Sequence, residues 1–194
     1  MSQNKIAILT GSKGRGSNMA AIIRATQEPN FPAQVALVVT PTENTPAAET
    51  AKILSTSTLT ISPQGPNYSK TLLQTLYDHQ INLVCLAGFM TLLPLEIIQA
   101  FPDRILNIHP ALLPSFGGKG MYGIHVHRAV LAAGAETTGC TVHFVSERYD
   151  EGAILHQRTC PVLPDDTPET LAARVLEQEH IAYPEAIYNL LTSQ

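Results

Sequence analysis

The chain has 194 residues, 44% of them apolar and 14% charged, a length and balance suited to one domain with a full core. Sixteen acidic residues against twelve basic ones, a net charge of -4, leave no cationic footprint for nucleic acid, and no run of about 18 apolar residues is present to span a membrane. Three dispersed cysteines (Cys85, Cys140, Cys160) in apolar runs read as buried thiols, and the MSQNK start lacks a signal-peptide core, so a cytoplasmic protein is expected.

The chain opens on residues 5–10 (KIAILT), an apolar run that reads as a buried strand. The turn GSKGRGSN at 11–18 follows it and leads into a helix over 18–26. Glycines admit a close ligand, and free N–H groups at a helix start favour an anion, so Gly16, Ser17 and Asn18 form a candidate phosphate turn. Side chains of Ser17 and Asn18 are expected to cap the helix; an ordinary strand–helix turn accounts for the same residues. The segment is neither a Walker loop nor a dinucleotide fingerprint, because Thr40-Pro41 stands where an acidic residue would hold a ribose.

Strands at 34–40 (QVALVVT), 58–61, 82–86 (NLVCL) and 104–108 (RILNI) then alternate with helices at 47–54, 68–79 and 94–100. Continuous β-branched runs separated by helix-period segments predict an α/β, doubly wound, mostly parallel sheet with right-handed crossovers. In such sheets ligands bind beyond the carboxyl ends of the strands.

The segment NIHPALLP at 107–114 leaves the fifth strand. Alternation puts Asn107 and His109 on one face, and Pro110 holds His109 extended. A carboxamide beside an imidazole suits acyl transfer, since both stabilise an oxyanion and the imidazolium donates a proton. A nearby carboxylate would keep the imidazole protonated, and Asp150 is the candidate. A nucleophile elbow is lacking, so direct transfer is expected in place of a covalent intermediate.

Beyond Pro114 lies a glycine-rich loop at 117–123 (GGKGMYG), readable as a lid or as a plain surface loop. A short helix at 126–133 follows. His125 and His127 lack a third ligand, so no metal is expected. Strands at 138–145 and 153–161 flank the turn SERYDEG as a C-terminal β-hairpin, with His143 read as a core or sheet-face histidine. A long terminal helix runs over 168–191, with Thr167 as N-cap and Pro168 first.

Taken together, GSN at 16–18, AGFM at 87–90, NIHPALLP at 107–114, GCTVHFV at 139–145 through Asp150, and RV…EQEH at 174–180 resemble the phosphoribosylglycinamide formyltransferase (glycinamide ribonucleotide transformylase) family of the folate-dependent formyltransferase superfamily. The likeness covers nearly the whole chain, from Ile6 to the last helix. It implies a single formyltransferase domain, 1–194, of Rossmann-like formyltransferase fold. It also implies formyl transfer from 10-formyltetrahydrofolate to the amine of 5-phosphoribosylglycinamide in purine biosynthesis, through a tetrahedral intermediate.

By the same resemblance, Asn107, His109 and Asp150 are catalytic, and Gly16, Ser17 and Asn18 hold the substrate phosphate. Glu179 contacts the glycinamide end, while Met90, Thr91, Leu92, Leu93 and Asn107 line the folate site. Small-molecule substrates, no metal, and a monomer or homodimer are implied. The sequence departs from the family pattern at Thr91, where Arg is common, in the 64–69 loop, which lacks an Arg, and at Leu176 and Thr40-Pro41. These departures bear on folate affinity more than on reaction type. Two alternatives stay open: another folate-dependent formyltransferase or hydrolase, expected to carry further domains, and a folate- or nucleotide-binding module with weakened catalysis.

Overall fold

A computed structural model describes residues 3–193. The chain forms β1 (Asn4–Thr10), α1 (Ser17–Gln27), β2 (Ala33–Thr40), α2 (Pro46–Ile53), β3 (Thr58–Thr60), α3 (Tyr68–Asp78), β4 (Leu83–Ala87), α4 (Leu95–Ala100), β5 (Ile105–His109), α5 (Ile124–Ala132), β6 (Thr137–Phe144), β7 (Ile154–Pro161) and α6 (Pro168–Thr192). Every element read from the sequence is present, with small shifts at the ends. The strand order is β3-β2-β1-β4-β5-β6-β7. The α/β, doubly wound reading, with its late hairpin and long last helix, is borne out.

The chain groups into two compact units: residues through Leu106 together with those from Tyr188, and Asn107–Ile187. In the first unit β1 pairs in parallel with both β2 and β4, and β2 with β3. β4 is buried along its whole length and β1 over its last five residues, as strands covered on both faces must be. Ile6, Ile8, Leu9, Leu37, Leu72, Leu76 and Leu83 are among its fully buried side chains. α2 starts at Thr45, whose Oγ1 accepts from the Ala48 N–H at 3.1 Å, with Pro46 at the first helical position.

The start of α1 differs from the sequence reading. Its N-cap is Gly16 in the left-handed region (φ 75), a residue with no side chain to offer the helix. A Cβ at residue 16 would lie 3.1 Å from the Ala47 backbone, so glycine serves both the turn and the packing of α1 against α2.

In the second unit, β6 and β7 pair antiparallel, with a register shift between Val142 and His143. Such a bulge re-aims the side chain that follows it. The two strands close tightly: a Cβ at residue 152 would fall 1.7 Å from the Phe144 carbonyl oxygen, so only glycine fits there. β7 keeps a mainly exposed outer face, whereas β6 is buried from Thr138 to His143. α6 begins as expected at Thr167, which exchanges hydrogen bonds with Thr170: the Thr170 N–H donates to Thr167 Oγ1 at 3.2 Å, and the Thr167 N–H to Thr170 Oγ1 at 2.9 Å. α6 is tied to β7 by Arg158, whose Nε donates to Gln178 Oε1 at 3.1 Å and whose Nη1 meets both Glu185 oxygens.

Candidate active site

Strand β5 ends at His109, and the hairpin turn between β6 and β7 brings Asp150 back beside it. His109 Nδ1 lies 3.4 Å from Asp150 Oδ2, with side chains 4% and 12% exposed. The opposite ring nitrogen, Nε2, donates to the Phe116 carbonyl at 2.7 Å. Asp150 has φ 58, a left-handed backbone that Asp tolerates better than most residues. Its Oδ2 also accepts the Gly118 N–H at 2.9 Å, so the carboxylate is held on two sides.

Asn107 is half-buried two residues before His109, and its Nδ2 meets His143 Nε2 at 3.1 Å. His143 in turn stands 3.6 Å from Asp150 Oδ1, and its Nδ1 donates to the Phe144 carbonyl at 2.9 Å. The cluster is therefore Asn107, His109, Asp150 and His143. Sequence reading placed His143 in the core or on a sheet face. A lone His in an apolar strand carries no sign of its partners, because the contact depends on the bulge that turns it toward Asp150. A cleft of ≈ 450 Å³ reaches the cluster at Asp150, bordered also by Leu113, Pro114, Gly117, Tyr149 and Ile154.

Burial decides the ionisation of His109. Desolvation lowers its pKa, Asp150 and the Phe116 carbonyl pull it upward, and His143 pushes it down; the net value lies below the ordinary 6.5. The expectation that a carboxylate keeps the imidazole protonated thus needs correction. Asp150 acts in that direction, but loss of water outweighs it. For Asp150 the balance is reversed. Burial alone would raise it, yet His143, His109 and the Gly118 N–H together hold it below the ordinary carboxylate value. At neutral pH these directions set a charged Asp150 against a mainly neutral His109, whose protonated form the carboxylate stabilises.

His127, on α5, is 4% exposed, and its Nδ1 has no hydrogen-bond partner. Burial, then the nearby His109, lower its pKa. His125 on the same helix is exposed and stacks edge-on with Tyr122 at 5.3 Å. Among the described residues no three His, Cys, Asp or Glu side chains group as a metal site.

Glu179 lies on α6, 8% exposed, close enough to Cys140 that its charge adds to burial in pushing that thiol up to about 12. In the first unit, Gly16, Ser17 and Asn18 are half-buried at the start of α1. Met90 and Leu92 follow β4 and are 57% and 49% exposed, Thr91 is exposed beside them, and Leu93 is buried at 4%. The large exposure of Met90 and Leu92 leaves apolar surface open to a ligand.

The Formyl transferase family matches residues 4–187. The chain is 43% identical over 190 residues to the chloroplastic phosphoribosylglycinamide formyltransferase of Arabidopsis thaliana, covering 95% of this chain and 64% of that relative, so it spans under two thirds of the plant protein's length. It is 33% identical to phosphoribosylglycinamide formyltransferase of Bacillus subtilis, covering 93% of this chain and 92% of that one. Among solved structures, phosphoribosylglycinamide formyltransferase from Brucella melitensis matches with TM-score 0.89 and 39% identity over 100% of this chain and 98% of that one.

Proposed function

The chain belongs to the formyl transferase family, and on that premise we propose that it transfers a formyl group from 10-formyltetrahydrofolate to the amine of 5-phosphoribosylglycinamide. The observation that carries this reading is the buried pairing of His109 with Asp150 beside the Asn107 carboxamide. The whole chain, 1–194, acts as one formyltransferase domain on small-molecule substrates.

The substrate amine attacks the formyl carbon, and the carbonyl π pair moves onto oxygen. Asn107 carries amide hydrogens that donate to this oxyanion as it forms, stabilisation that water cannot pre-arrange. The attacking nitrogen then carries an excess proton. Neutral His109 accepts it, and the imidazolium is held by the Asp150 charge at 3.4 Å. The carbon–nitrogen bond to the folate breaks as the proton passes to the departing nitrogen, leaving tetrahydrofolate and the formylated amine. Each proton taken is returned, and the reaction needs no redox partner.

Gly16, Ser17 and Asn18 take the substrate phosphate through backbone N–H groups at the start of α1. Glu179 contacts the glycinamide end, and Met90, Thr91, Leu92 and Leu93, with Asn107, line the folate site. No helix among the described residues is long and apolar enough to cross a membrane; the enzyme works in the cytoplasm as a monomer or homodimer. The test is an assay of the purified protein with both substrates, reading formylated product by mass spectrometry. Product that disappears with His109→Ala is expected; near-full transfer by that variant overturns the mechanism.

A further inference from the structure

The chain leaving β5 passes from His109 to Gly117 in a single sweep, and one hydroxyl holds its middle. Thr141, on β6, is 0% exposed. Its Oγ1 donates to the Ala111 carbonyl at 2.7 Å and accepts the Leu113 N–H at 3.0 Å. It also accepts Gln157 Nε2 at 2.9 Å, and the same Nε2 donates to the Leu113 carbonyl at 3.1 Å. A hydroxyl has one donor and two acceptor positions, so this one is saturated. With both lone pairs taken by N–H donors, its proton has one place to go, the Ala111 carbonyl.

Leu113 is buried, and its Cδ2 fills the space where a Cβ on residue 117 would lie, 2.5 Å away. Fixing Leu113 therefore fixes Gly117. Phe116, between them, sends its carbonyl to His109 Nε2 at 2.7 Å. Thr141 touches none of the reacting groups, yet it sets the path that decides which proton His109 carries and how deeply its ring is buried.

We propose that Thr141 is a positioning residue for the transfer reaction: its hydroxyl, keyed from outside by Gln157, clasps residues 111–113 so that the Phe116 carbonyl is held on His109. The inference rests on the transfer reaction proposed above. A loosened clasp misplaces the imidazole and admits water to it, and misplacement on the scale of 1 Å costs rate more than binding. Water also relieves the desolvation that lowers His109. The charged and titratable groups facing that ring are Asp150 in the hairpin turn, His143 on β6 and His127 on α5.

The test compares Thr141→Val, which keeps the shape and removes the hydroxyl, with Thr141→Ser, which keeps the hydroxyl, and with Gln157→Leu at an exposed position. Steady-state rates are measured with both substrates, and His109 is titrated by imidazole NMR on isotope-labelled protein without substrate. Thr141→Val is expected to lower kcat roughly 10- to 100-fold with little change in KM, and to move the His109 midpoint upward toward its ordinary value. Thr141→Ser recovers both, and Gln157→Leu moves both in the same sense by a smaller amount. Folded Thr141→Val with unchanged kcat and titration overturns the proposal, as does Thr141→Ser losing as much as Thr141→Val. If Thr141→Val does not fold, Gln157→Leu decides: an unmoved rate and midpoint sink the idea. Absence of transfer by the unaltered protein would defeat the functional reading instead, while the substrate-free titration would still report on the clasp.

Discussion

Asn107 and His143 meet through one hydrogen bond, Nδ2 to Nε2 at 3.1 Å. His143 also gives its Nδ1 proton to the Phe144 carbonyl at 2.9 Å, so its ring is fixed from two sides. His143 thus holds the Asn107 carboxamide, the group that meets the oxyanion in the reaction proposed above.

Asn107→Leu keeps the approximate volume and removes both amide hydrogens. Loss of an oxyanion donor is expected to lower kcat about 10²- to 10³-fold, with KM for the substrates moving far less. Stopped-flow or steady-state rates on protein of unchanged circular dichroism check this; a loss under threefold would show that Asn107 does not meet the developing charge.

Asp150→Asn removes the charge that raises the His109 pKa and leaves the burial that lowers it. The acid limb of the kcat–pH profile, set by protonation of His109, should therefore move to still lower pH. The rate at its plateau should drop roughly 10²-fold or more, because the imidazolium formed in the reaction loses its counter-charge. A limb that moves upward contradicts this assignment of the base.

Stability should also fall with acid. His109 and His127 both sit below the ordinary histidine value when folded. A depressed folded pKa means the unfolded chain binds protons first, so the contribution is present above about pH 6.5 and is lost as pH falls through the folded values. Asp150, likewise depressed, adds a second loss at more acidic pH, below the ordinary carboxylate range. Thermal melts across this span should show Tm declining with acid, and His127→Gln should flatten the upper part of the decline. A Tm that is flat across the histidine range would refute the linkage.

Gly152→Ala forces a methyl group onto the Phe144 carbonyl oxygen, where only 1.7 Å is available. The hairpin must open to admit it, at a cost of about 1–3 kcal/mol or more by analogy with overpacked cores. Since Asp150 rides on that turn, activity should fall further than stability alone accounts for. Denaturant midpoints and rates measured on the same preparation check both parts.

Thr91 is exposed after β4, with room for a longer side chain. Thr91→Arg places a cation where the family pattern commonly has one, and is expected to lower KM for the formyl donor by roughly 3- to 10-fold at low salt, with kcat little changed. An unchanged KM at low ionic strength would mean that residue 91 stands away from the folate's carboxylates.

Much of this was legible before any coordinates. The apolar runs of β1, β2, β4 and β5 are strong because strands buried on both faces tolerate little else. Thr167-Pro168 carries its own helix start in two residues; Thr45-Pro46 does the same for α2, which the sequence reading started one residue late at 47. Asn107 and His109 were legible because strand alternation and the proline after His109 fix their geometry locally. Three things were not. The net ionisation of His109 depends on how much water the folded chain removes, a quantity no motif encodes. The role of His143 depends on a bulge, and that of Thr141 on a loop returning to meet it from residues 111–113. Both are long-range pairings between side chains that look like ordinary strand residues. The N-cap of α1 falls on Gly16, whose left-handed backbone and close approach to Ala47 depend on the packing of two helices that the turn residues alone do not show.

Cys85, Cys140 and Cys160 are all buried thiols outside any disulfide, the first in one compact unit and the other two in the second. Burial holds Cys140 up to about 12 and Cys160 above its ordinary value, so neither offers thiolate to a reagent while its strand is in place. The native protein therefore carries its own clocks. A thiol label enters only when the surrounding strands part, and mapping which cysteine is modified first would time the opening of one half of the chain against the other, with no probe introduced.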